Sequence, residues 1–148
     1  MPRKPASQPK FFEATVFIIG KKLTSGNLYP QELADRIILD VMSGEKKYTV
    51  EEVAPLERDK NGIKPYESWT KRAMAFCVGA RMDGSRLIMK FQLNNNKYGK
   101  NLELMLANHK PGDIEFYPVG IGDVDAEGVV TGYKLSYISL DVKREVVG

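Results

Sequence analysis

At 148 residues, with 43% hydrophobic and 28% charged side chains, the chain has the length of one domain and the composition of a soluble globular protein. No stretch is long and apolar enough for a transmembrane helix, no signal peptide precedes the first expected strand, and one cysteine cannot form an internal disulfide, so an intracellular setting, or a virion, is expected and a membrane is not. The net charge of +3 equals the contribution of Arg3, Lys4 and Lys10, because the other residues carry 19 basic and 19 acidic side chains. A neutral body of this kind does not suit a dedicated duplex-DNA binder.

Residues 1–10 hold three prolines, three cations and no large apolar side chain apart from the first methionine, and read as a basic extended arm ahead of a single α+β domain over 11–148. Phe11 to Ile19 reads as a strand that is apolar on both faces, as expected for a central strand, and Gly20 stops it. Pro30 then opens a helix in which Leu33, Ala34, Ile37, Ile38, Val41 and Met42 form one stripe, closed by Ser43-Gly44. Lys46 to Val53 reads as a short strand. Pro55 to Pro65 reads as a long surface loop with a turn at Asn61-Gly62 and is a candidate contact surface.

The stretch from Met74 to Leu93 carries the strongest hairpin signal. Asp83-Gly84 suits a two-residue type I′ turn, which would set Met82 opposite Ser85, Phe76 opposite Phe91 and Arg81 opposite Arg86. Residues 69–80 also fit an amphipathic helix, with Trp69, Ala73, Phe76, Cys77 and Ala80 at helical spacing, and periodicity leaves both readings open. The hairpin is preferred because Leu87, Met89, Phe91 and Leu93 alternate with Arg86, Ile88, Lys90 and Gln92 and need a partner strand. Two arginines facing each other across a ladder repel, which points to an anionic partner above them.

Residues 94–100 read as a polar connection, followed by a short helix capped by Asn101, with Leu102, Met105 and Leu106 inward and an end at Pro111-Gly112. Ile114 to Val119 and Gly132 to Val142 read as the last strands, the first at an edge or a bulge because of Pro118. The fold class expected is α+β: antiparallel hairpins forming a small sheet or partly open barrel of about six strands, with one well-defined amphipathic helix and one short helix.

Catalytic material is sparse. One histidine, His109, and one cysteine exclude a histidine–cysteine metal cluster within one chain, and Cys77 among apolar neighbours reads as a packing residue. His109 follows the short helix, where a cation favours the helix dipole. Asp123, Asp125, Glu127 and Gly128 match the start of a calcium loop, but Lys134 stands where a bidentate glutamate is wanted. No catalytic, metal or cofactor site is expected, and the protein is read as a non-enzyme.

What remains is basic and aromatic. Arg72, Arg81, Arg86, Lys90, Lys97, Tyr98 and Lys100, with Arg3, Lys4 and Lys10 of the arm, are the residue types that hold single-stranded nucleic acid, cations on phosphates and aromatic planes on bases. A sequence-tolerant, single-strand-preferring nucleic-acid binder is therefore the first expectation. The alternative is a viral or phage assembly subunit (coat, decoration or scaffold) whose arm docks residues 1–10 on a neighbour, within a homo-oligomer or beside other structural subunits. The third is a protein-binding inhibitor or adaptor.

Overall fold

The computed structural model describes residues 9–52, 58–59, 62–63, 73–110 and 112–142. In chain order the elements are β1 (Phe11–Ile18), α1 (Gln31–Met42), β2 (Thr49–Val50), β3 (Arg58–Asp59), β4 (Gly62–Ile63), β5 (Ala75–Asp83), β6 (Arg86–Leu93), α2 (Lys97–Asn108), β7 (Ile114–Val124) and β8 (Val130–Val142). Six strands form one mixed sheet in the order β1-β6-β5-β2-β8-β7, and β3 and β4 form a separate two-residue hairpin. Every pairing in the large sheet is antiparallel except that of β2 with β8. The sheet curls until its two end strands approach, with the Phe12 and Phe116 rings 5.3 Å apart across the seam. This is the α+β, partly open barrel that the sequence pattern implies.

The β5–β6 hairpin forms, in a different register from the expected one. Gly84 takes φ +59° and among the described residues none other than glycine has a positive φ, so the two-residue loop is Gly84-Ser85 with glycine first, the type II′ pattern. The reversal slides by one residue, which sets Asp83 opposite Arg86 and Arg81 opposite Ile88. Opposite charges now meet where the expected register put two arginines, so the electrostatics favour the observed turn.

A bulge at Val78 then shifts the ladder again, pairing Cys77 with Phe91 and Ala75 with Leu93. As a result Met82, Ala80, Cys77 and Ala75 line the core face of β5, while Phe76 turns outward and Val78 is exposed. The core partners on β6, Leu87, Met89 and Phe91, are completely buried. Each contributes roughly 2 kcal/mol or more by leaving water.

Four other expectations change. β1 is an end strand and not a central one; a bulge between Thr15 and Phe17 lets it bury both Val16 and Phe17, which explains its two apolar faces. On α1, Leu33, Ala34, Ile37 and Val41 are buried against the sheet, but Met42 lies off the stripe and is exposed. α2 begins four residues before the expected cap: the Asn96 side chain accepts from the Gly99 N–H at 2.8 Å, and Gly99 fits because a Cβ there would lie 1.8 Å from the Asn94 carbonyl oxygen. The acidic loop is also shorter than expected, because β7 and β8 extend to leave a turn in which Asp125 Oδ1 accepts from the N–H groups of Glu127 and Val129, each at 2.9 Å.

Gly99→Ala should therefore cost stability at the upper end of the overpacking range, about 3 kcal/mol, read as a lowered denaturant midpoint. Gly84→Ala, at a positive φ with open space around it, should cost about 1 kcal/mol through backbone strain alone.

Candidate functional site

The outward face of β1, β6 and β5 holds the basic residues that the sequence singles out. Register places side chains there in rows across the three strands: Phe11, Gln92 and Phe76; Glu13, Lys90 and Gly79; Thr15, Ile88 and Arg81; Ile18, Arg86 and Asp83. Lys90 Nζ lies 4.8 Å from the Phe11 ring centre, and Lys47 Nζ lies 4.3 Å from that of Phe76. Arg81 donates to Glu13 at 2.9 Å across the intervening strand.

That ion pair changes the electrostatic reading. Arg81 does not face Arg86; it is compensated by a carboxylate of its own chain, and Arg86 has Asp83 as its register partner. Lys10, at the root of the arm, is likewise paired with Glu103 on α2. Lys97 rests over the neighbouring Tyr98 ring at 5.1 Å, on a different element from the sheet face, and Lys100 lies with Lys10 and Gln92 along a shallow groove. Arg3, Lys4 and Arg72, together with most of the candidate loop at 55–65, lie outside the described residues. The structure thus gathers Arg81, Arg86 and Lys90 on one surface, with Lys47 at its side, but Glu13 and Asp83 among them reduce it to two net positive charges.

Sequence reasoning missed Phe11, Phe76 and Lys47 as members of this surface. Gly79 was the available signal, since a glycine inside a strand marks a bulge, and a bulge here is what turns Phe76 outward.

Two groups bear on chemistry. Cys77 is buried on the core face, where its thiol donates to the Gly79 carbonyl at 3.2 Å, and burial pushes that thiol up to about 11. It is a neutral packing residue at pH 7. His109 follows α2 at its C-cap position and opens into a cleft of about 630 Å3 shared with Thr15, Glu13, Glu115, Arg86 and Lys110. The only histidine of the chain therefore sits in a cleft with one hydroxyl and two carboxylates. Among the described residues no cluster of three or more metal-ligating side chains occurs, and no helix is long and apolar enough to cross a membrane.

No protein-family model matches the chain, and no curated protein matches it. Its fold is similar to that of the bacteriophage T4 capsid assembly protease gp21, with a TM-score of 0.59 over 88% of this chain and 79% of that one. Identity is 15%, so the likeness is one of fold. It corrects one expectation: this architecture is used by a protease, and the scarcity of histidine and cysteine no longer argues for a non-enzyme.

The Cys77 shift sets a pH dependence. Its folded pKa is raised, so the stability it contributes is complete below about pH 9 and is lost as pH rises toward about 11. The Tyr48 hydroxyl, pushed up to about 12 by burial and by Asp40, acts in the same direction at higher pH. Denaturant midpoints should fall over this alkaline range, and Cys77→Ala should flatten the first part of the fall. The Arg81–Glu13 pair is exposed, so a double-mutant cycle with Arg81→Ser and Glu13→Gln should return a coupling of about 0.2–1 kcal/mol.

Proposed function

We propose that the protein acts in phage capsid assembly, docking on neighbouring subunits through its basic N-terminal arm. The observation that carries this reading is the shared fold with a capsid assembly protease over most of both chains. The described root of the arm supports it: Lys10 pairs with Glu103 and its carbonyl accepts from the Leu93 N–H at 2.9 Å, so the arm starts from a fixed point on β6 and α2. Mass photometry across a concentration series should show self-association that is lost on deletion of residues 1–8. A mass that stays monomeric at every concentration, alone and with the cognate capsid protein, sinks the reading.

A second reading, binding of single-stranded nucleic acid, is supported by the outward row of Phe11 and Phe76 with Lys90 and Lys47 beside them. Stacking rather than net charge would supply the affinity. In fluorescence anisotropy titrations with a labelled oligonucleotide, Phe11→Ala or Phe76→Ala should then weaken binding by about 1–3 kcal/mol, and the affinity should depend weakly on salt. A flat titration at low salt removes this reading.

The His109 cleft is the place to look for hydrolysis in a protease-type fold. Casein cleavage by the purified chain that disappears in His109→Ala locates the chemistry there, and cleavage that survives the substitution places it elsewhere.

A further inference from the structure

Beside β8 the sheet is interrupted. Leu28 enters parallel to β8, donating to the Gly128 carbonyl at 2.8 Å and accepting from the Val130 N–H at 2.9 Å. The chain then leaves the sheet as α1 and returns as β2, where Val50 pairs with Ile138 and the Glu51 N–H donates to the Ile138 carbonyl at 2.9 Å. Between these two contacts, residues 131–136 bond through their backbone to β7 alone among the described residues. The interval from Val130 to Ile138 faces Pro118 to Val124 of β7 and is about 20 Å long at strand rise, because β8 carries two bulged residues within it. An edge of backbone donors and acceptors is therefore left open in the middle of a sheet, with a native parallel strand seated at each end of it.

α1 does not close this gap. A cleft of about 590 Å3 runs between residues 129–135 and the helix, whose Leu33, Arg36, Ile37 and Asp40 form the opposite wall. That volume lies within the range of specific binding sites. Open edges are ordinarily blunted by proline, interrupted by bulges or covered by another element; 131–136 contain no proline, the bulges at 132–133 and at Ser136 bend the edge without covering it, and the element alongside stands off by the width of the cleft.

We propose that this gap accepts a short extended peptide carrying acidic side chains, which completes the row between Leu28 and Val50 as an added strand. The backbone ladder supplies recognition without sequence, as in other strand-addition sites. The preference for acidic side chains follows from the walls. Lys134 on β8 and Lys46 near the entry to β2 form no ion pair among the described residues, while Arg36 and Asp40 stand 3.8 Å apart and largely cancel. Tyr48 adds a hydroxyl that stays protonated at neutral pH and can donate to a carboxylate. Glu32, at the Leu28 end, and Asp40, beside Tyr48, are the opposing charges, so the acidic side chains belong against Lys46 and Lys134.

The test is amide hydrogen exchange on the full chain with and without a capped pentapeptide alternating valine and glutamate at millimolar concentration. Exchange at 131–136 should slow about tenfold while β5 and β6 are unchanged. The same peptide N-methylated at alternate residues, and a valine–lysine peptide, should both leave 131–136 unprotected. Lys46→Glu with Lys134→Glu should abolish the effect of the glutamate peptide, its unchanged exchange at β5 and β6 showing that it folds. The proposal is overturned if the glutamate peptide gives no protection, if the N-methylated peptide protects equally, or if 131–136 are already protected in a way that rises with protein concentration, which would assign the edge to a second copy.

Discussion

Strand β6 holds the structure in register. Its three core side chains, Leu87, Met89 and Phe91, are wholly removed from water, and it is paired along its length on both sides. Because side chains alternate, a slip of one residue on either side would carry a whole row of apolar groups to the surface. Each neighbour absorbs its mismatch with one bulge, at Val78 in β5 and at Val16 in β1. The composition of the outer surface follows from those two irregularities, since they decide that Phe76 faces out and Cys77 faces in.

This locates what could be read from the residues. Amphipathic spacing was enough for α1, for the β5–β6 hairpin and for the final pair of strands, because each buries one face and repeats at a fixed period. The pattern could not choose between two reversals that differ by one residue, since Asp83-Gly84 and Gly84-Ser85 are both good turn pairs. Choosing the wrong one exchanged an Asp83–Arg86 pairing for an Arg81–Arg86 clash, and the inferred anionic partner rested on that clash. Nor does periodicity see across strands: Glu13 is 68 residues from the arginine it neutralises.

The α2 boundary shows the same limit on a smaller scale. Asn96 and Asn101 are equally plausible caps by type, and the decision lies in whether a glycine three residues on can press against a distant carbonyl. Pro118, in contrast, was informative alone, because a residue without an N–H is compatible with β7 only where one side of the strand needs no ladder. Function was the least legible. The likeness to a capsid assembly protease is one of fold at 15% identity, and no short motif in this sequence announces it.

The single parallel contact between β2 and β8 has a mechanical meaning. Among the described residues it amounts to one register pair, and the β8-β7 half is tied to the rest of the wall at one further place, where Leu28 bridges to Val129 while the adjacent Tyr29 bridges to Ile19 beyond β1. Across the opposite seam the halves meet through aromatic rings rather than hydrogen bonds. Two antiparallel plates are thus stitched at two short backbone contacts, Val50 with Ile138 and Leu28 with Val129, and meet only through side chains at the opposite seam, so the softest deformation of the molecule is a spreading of the plates at that seam.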